Sequence, residues 1–391
     1  MNTLFINAKI IFPDRIVDNG AVRISGEKIL DIYEGKVEKR EDDEIVDASG
    51  LYLSPGFIDV HVHGGDGGYF MSGEADQIDK TCKMHMKHGT TAMTPSISAA
   101  PTEVIIKSLS GINEYEKSES VRPDFLGLHL EGPYLNPNAC GAMPAGYIRE
   151  PNREEYLDLL ERFPNIRRWA LAPELAGSVE MVKELTKRGV LTAVGHSDAF
   201  FDDVMAVRAE GTNSITHFYS LTSTVRRKNA YRFAGTLEAG YLYDDIFVEV
   251  IADGCHLPKP LLQLIYKVKG EDRIMLITDG ISASGVDEND GKQYYSQMGK
   301  PIVVEDGVAK VPSRECFAGS IATTDRLIRT MVNIAEVPLC SAVKMASLTP
   351  AAYLGVADRK GSIECGKDAD LLIFDEGVNV KSVYVRGRKF V

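Results

Sequence analysis

The sequence predicts an α/β fold: a (β/α)8 barrel of the TIM type with a small β-sandwich domain built from both chain ends. Three observations predict it. Eight short apolar runs of strand character lie between residues 56 and 280, amphipathic helical patterns separate several of them, and both ends of the chain read as strand. The boundaries fall at 1–54 with 360–391 for the small domain and 55–359 for the barrel.

From the start of the chain, LFINAKIIF, AVRISGEKILDIYE and EIVDASGLYLS are β segments broken by Gly, Asn and Asp, without helical period. The barrel strands follow as GFIDVHVHG, TTAMTPSIS, FLGLHLEGP, RRWALAPE, LTAVGHSD, SITHF, FVEVIADGCH and RIMLITDG. EEYLDLLERF, SVEMVKELTKRG, FDDVMAVRAEG and KPLLQLIYKV supply helices between them. GSIECGKDADLLIFDEG and VNVKSVYVRGRKFV return to alternation around Gly turns, so the two ends are expected to pair. No internal repeat or low-complexity segment supports a solenoid.

At 391 residues the chain accommodates a barrel of roughly 250 residues and a smaller unit. Its 44% hydrophobic and 26% charged residues set aside disordered and fibrous classes. A net charge of −12, with no Lys/Arg block interleaved with aromatics, argues against a nucleic-acid partner. An anionic small substrate would then need a few placed cations. The N-terminal stretch lacks a basic region followed by a long apolar run, and no segment reaches the ~20 apolar residues of a membrane span. No membrane partner and a cytoplasmic location are therefore expected. The six cysteines (82, 140, 255, 316, 340, 365) form no C-x-x-C pair and read as reduced thiols, none with a His that would make it a nucleophile.

Barrel enzymes place their chemistry at the C-terminal ends of the strands. His61, His63, Glu131, His196, His217, Asp253 and Asp279 all fall at or just after the end of an apolar run. His61-Val62-His63 sets two imidazoles on one side of a strand, where they can share a metal ion. Alone, such a pair is as well read as surface or core histidine. With Glu131, His196 and His217 at successive strand ends it becomes a set of four imidazoles and a carboxylate, suited to one or two divalent ions (Zn, Fe, Mn or Co).

Asp279 is the candidate general acid/base, with a helix N-cap as its structural alternative. His256 could orient substrate or stabilise a developing oxyanion, or serve only to support its neighbours. His85 and His88, three apart on a predicted helix, read as surface or helix-end residues and stay outside the ligand set.

PGFIDVHVHG, HLEGPYLN, APE, GHSDA, THF, IADGCH, TDG and FAGS occur in an order that resembles the N-acetylglucosamine-6-phosphate deacetylase family of the amidohydrolase superfamily. The likeness covers most of the barrel, and DADLLIF resembles the superfamily's junction with its small β domain. It implies that Glu131, His196 and His217 hold the main catalytic metal, that His61 and His63 build a second site, and that Glu131 bridges the two. It further implies that Asp279 is the catalytic Asp, that His256 contacts substrate, and that the chain forms a homodimer acting on a small amino sugar phosphate.

Two stretches depart from the family pattern. Where relatives read Lys-Gly-Ala-His this chain has Cys140-Gly141-Ala142-Met143, and Ser220-Leu221-Thr222 replaces Asn-Ala-Met. Ser220 and Leu221 are thus expected to face substrate with fewer hydrogen-bond donors than relatives offer. In relatives an Arg shortly after the THx strand reaches the substrate phosphate, commonly from the neighbouring subunit; Arg226, Arg227 and Lys228 occupy that stretch and read equally as a solvated basic turn.

Three functions compete. The leading one is hydrolysis of the N-acetyl group of N-acetylglucosamine 6-phosphate to glucosamine 6-phosphate and acetate. The second keeps the metal centre but deacylates another N-acyl amino sugar or amide. The third is a barrel without catalysis, serving as scaffold or sensor, which the complete ligand set opposes.

Overall fold

The computed structural model describes residues 2–287 and 292–391. Eight parallel strands ring a barrel in chain order: β1 (Phe57–Val62), β2 (Thr90–Ser98), β3 (Leu128–Glu131), β4 (Ile166–Leu171), β5 (Leu191–Val194), β6 (Ser214–Ile215), β7 (Phe247–Val250) and β8 (Ile274–Leu276). The last strand meets the first through a parallel bridge between Val62 and Gly280, supported by the Asp279 amide donating to the His61 carbonyl at 2.9 Å. All eight strands coincide with the runs read from sequence. β-branched and aliphatic residues fill them because both strand faces are covered.

The four sequence-predicted helices form as Arg153–Arg162, Ser178–Lys187, Phe201–Ala209 and Lys259–Lys269. Asn152 caps the first, its side chain accepting the Glu155 amide at 3.1 Å. Met181, Val182 and Leu185 form the buried stripe of the second. Helix Ala75–Lys87 corrects one expectation. His85 is fully buried, because it continues the stripe of Ile78 and Cys82, and its Nε2 donates to the Gly64 carbonyl at 2.9 Å. His88 sits at the helix end, as expected, 3.1 Å from Asp325.

The chain ends share one mixed eight-stranded sheet. Strand Tyr52–Pro55 runs parallel to Asn2–Ile11 and antiparallel to Leu371–Phe374, with Pro55 opposite Leu371. Phe5, Ile10, Val22, Leu53 and Leu371 are wholly or almost wholly buried and give this sheet its own core. Tyr52–Pro55 passes straight into β1 through Gly56, where a Cβ would come within 2.0 Å of the Thr91 hydroxyl. Only glycine lets the junction approach β2 so closely. Lys360 secures the same region: buried, it reaches Asp370 at 2.6 Å, Asp368 at 3.0 Å and Asp124 at 3.1 Å.

All six cysteines are unpaired, in accord with the thiol reading. Among the described residues, no helix is long and apolar enough to cross a membrane.

Candidate metal centre and active-site cavity

The barrel brings the strand-end residues into two buried triads. His61, His63 and Asp279 form one, Glu131, His196 and His217 the other, and within each triad one ligand-type atom per residue lies within 4.8 Å of the others. His196, His217 and Asp279 have φ of 48°, 26° and 45°, a left-handed conformation that costs a non-glycine residue about 1–3 kcal/mol. Backbone bonds hold these residues in place. The Asn136 amide donates to His196 O at 3.0 Å, Phe218 to Glu249 O at 2.7 Å, and Ser320 to Asp279 O at 3.0 Å.

The donor chemistry tests whether a cation fits. Nδ1 of His61 lies 2.9 Å from a Glu249 carboxylate oxygen, and those of His63, His196 and His217 lie 3.2, 2.8 and 3.0 Å from the carbonyls of Ser96, Ala139 and Ser220. Those partners only accept, so each Nδ1 donates and each Nε2 is the atom offered to the centre. The inward nitrogens then face one another at 3.1 Å in both His61–His63 and His196–His217. Glu131 adds charge, Oε1 lying 3.0 Å from His196 and 3.1 Å from His217. Converging lone pairs and carboxylates repel unless a cation lies between them, and imidazole with carboxylate suits divalent transition metals.

The electrostatics agree. Burial disfavours charge on His61 and His63, yet the surrounding carboxylates outweigh it and raise both pKa values, that of His63 to about 9. Burial likewise opposes the Glu131 charge, but His61 and His196 hold that carboxyl well below its ordinary range. What draws a proton here would draw a metal ion.

Above the triads opens a cavity of about 430 Å³. Asp279 and His256 face it, as do Glu131, His63, His196 and His217. Its wall is largely apolar, including Met143, Leu221, Met298 and Phe317. The His256 ring rests 4.6 Å from that of Phe317, and its Nδ1 lies 2.8 Å from Asp253. Burial works against the Asp253 charge, but His256 and the amides of Cys255 and His256 keep its pKa below the usual carboxylate value.

Residues 52–389 match the amidohydrolase family. The chain belongs to that family. It is 30% identical over 390 residues to the N-acetylglucosamine-6-phosphate deacetylase of Bos taurus, covering 95% of this chain and 93% of the relative. It is 32% identical over 337 residues to the N-acetylgalactosamine-6-phosphate deacetylase of Escherichia coli O157:H7, covering 86% and 87%. Among solved structures, a mutant N-acetyl-D-glucosamine-6-phosphate deacetylase from Mycobacterium smegmatis, in complex with N-acetyl-D-glucosamine-6-phosphate, superposes with a TM-score of 0.90 at 27% identity over 99% of both chains. The chain is a deacetylase-like amidohydrolase, and its two triads are arranged as a binuclear site.

The cavity of this amidohydrolase collects some predicted substrate residues and leaves others out. Ser220 and Leu221 line it. Arg226 does not: it pairs with Asp198 and stacks 3.7 Å over the Phe200 ring, on the exposed hairpin Arg226–Lys228/Tyr231–Phe233. Arg227 is exposed on that hairpin and also lies outside the chain's own cavity.

Several residues that shape this amidohydrolase's site had no role assigned from sequence, although His129 and residues 317–319 lie within the HLEGPYLN and FAGS motifs. His129 packs edge-on against His61 at 4.6 Å between centroids, and burial together with nearby Arg168 and His61 drives its pKa far down. Gln297 and Met298, and residues 314–319, line the cavity beside the sheet formed by Tyr294–Tyr295, Pro301–Glu305 and Val308–Lys310. Its hairpin had a signal: Asp306-Gly307 between the apolar residues 302–304 and 308–309, with both φ positive, as a type I′ turn requires.

Proposed function

We propose that this amidohydrolase removes the acetyl group of an N-acetylhexosamine 6-phosphate, foremost N-acetylglucosamine 6-phosphate, releasing acetate and the amino sugar phosphate. The observation that carries the reading is the pair of triads at the floor of the cavity, with Asp279 and His256 facing the same space. The names of the relatives supply the substrate class.

In this reading Glu131, His196 and His217 would hold the principal ion and His61 and His63 a second, with the Glu131 carboxylate within reach of both groups. A divalent ion such as Zn, Fe, Mn or Co lowers the pKa of water and polarises a carbonyl oxygen. Asp279 accepts the proton of the attacking water and delivers it to the departing amine. His256, fixed by Asp253, presents its other ring nitrogen to the substrate. Arg226 and Arg227, outside their own cavity, bind phosphate in the cavity of a second copy, which makes the active form a homodimer.

A second reading rests on Met143 and on Ser220-Leu221-Thr222. Met143 and Ser220 line the cavity where relatives carry His and Asn, which favours an N-acyl substrate with less to hydrogen-bond there. Acetate release decides between them, measured on metal-reconstituted protein with N-acetylglucosamine, its 6-phosphate and N-acetylgalactosamine 6-phosphate. A preference for a phosphorylated sugar of a hundredfold or more in kcat/KM is expected. Activity on none of the three, with metal bound, would assign the centre to another amide.

A further inference from the structure

Among the charged residues inside the barrel that belong to neither triad, two form an ion pair with each other. Glu249 on β7 and Arg168 on β4 are both completely buried and pair through Glu249 Oε1. The other oxygen of Glu249 is shared: it accepts from Nδ1 of His61 at 2.9 Å and from the backbone amide of His217 at 3.2 Å. One carboxylate oxygen therefore touches a member of each triad. The Glu249 carbonyl also accepts the Phe218 amide at 2.7 Å, so strand β7 grips the His217 turn from side chain and backbone together.

Arg168 fixes the carboxylate from the far side. Its Nη1 donates to the Val60 carbonyl at 2.9 Å, within the strand that bears His61 and His63, and its Nε to the Tyr353 hydroxyl at 3.2 Å. That hydroxyl lies 2.8 Å from the hydroxyl of Ser214 on β6. Strands β1 and β7 are not neighbours in the ring, nor are β1 and β4. These contacts cross the barrel interior and link β1, β4, β6 and β7 beneath the centre.

We infer that Glu249, held and neutralised by Arg168, is a positioning residue that sets the two triads relative to one another. The inference rests on the reading of the triads as ligands. An acceptor on Nδ1 fixes the tautomer and aim of His61, and a bond to the His217 amide fixes the strained turn that aims the second triad. Because one oxygen does both, its loss should loosen both sites at once. Asp253 and Asp59, also buried in this barrel, contact a member of one triad at most.

The test is Zn(II) affinity, measured by competition with a chelating dye on the full chain, for wild type, Glu249→Leu, which removes both acceptor oxygens, and the charge-balanced double variant Arg168→Met/Glu249→Leu. The double variant covers the case in which an unpaired Arg168 prevents folding. Both Zn(II) equivalents are expected to bind about 10- to 100-fold more weakly, with the metal-free proteins keeping wild-type circular dichroism. Unchanged affinity, or weakening of one equivalent only, would overturn the inference. Wild type that binds no metal would instead overturn the ligand reading itself.

Discussion

Glu131 and His63 approach to 3.2 Å between Oε2 and Nε2, although each belongs to a different triad. Glu131 turns its other oxygen to His196 and His217, so this single carboxylate is the negative charge common to both groups of ligands. Glu131→Gln keeps the shape and removes that charge. Metal analysis of the variant should find no more than one equivalent retained, and deacetylation should fall by more than about four orders of magnitude, beyond the 10²–10⁴ of a lost acid/base. Two tightly held equivalents in the variant would exclude a bridging role.

Asp279→Asn separates chemistry from folding. Asparagine tolerates the left-handed φ of 45° found there, so the backbone bonds to His61 and Ser320 should survive. A fall in kcat of about 10²- to 10⁴-fold is expected with the melting temperature essentially unmoved. Activity within a fewfold of wild type would remove Asp279 from the proton transfer.

The residues that give these two predictions were legible because the barrel rule is local. A strand's apolar run and the polar residue at its C-terminal end are adjacent in sequence, so His61, His63, Glu131, His196, His217 and Asp279 could be named together. Glu249 and Arg168 could not, since each sits inside a strand and not at its C-terminal end, and their meaning lies in a contact across the barrel. His85 lies in the last helical turn, as one of its two readings had it, but its burial was not legible for a related reason. The helix pattern gives a stripe, but not that a polar carbonyl, that of Gly64, waits opposite it. The Arg226 hairpin shows the opposite limit, its motif neighbourhood being readable while its partner Asp198 lies in a different loop.

Lys360 should govern stability without touching chemistry. It is the shared cation of Asp124, Asp368 and Asp370, and burial leaves those carboxylates little recourse to water. Lys360→Met would leave a cluster of negative charge, a change that costs about 3–5 kcal/mol when one partner of a buried pair is removed. Denaturant unfolding should show the loss in its midpoint, with kcat at 25 °C unchanged. A midpoint equal to wild type would mean that Arg359 and Lys28 suffice to balance the cluster.

Asp368 gives that junction a defined pH dependence. Burial alone would raise its carboxyl, but Lys28 at 2.8 Å, Lys360 and Arg359 bring its pKa from 3.8 down to about 2. A carboxyl whose pKa is lower in the folded than in the unfolded chain adds stability that is complete above the unfolded value and vanishes as pH falls through the folded one. Asp368→Asn should therefore melt below wild type at neutral pH, and the difference should shrink on acidification from about pH 4 to about pH 2. Other carboxylates titrate over the same range in both proteins, so the difference between the two melting curves isolates this one group. A gap that persists undiminished at pH 2 would show that the Asp368 contribution is hydrogen-bond geometry, which asparagine fails to reproduce, and not the charge that the three surrounding cations hold.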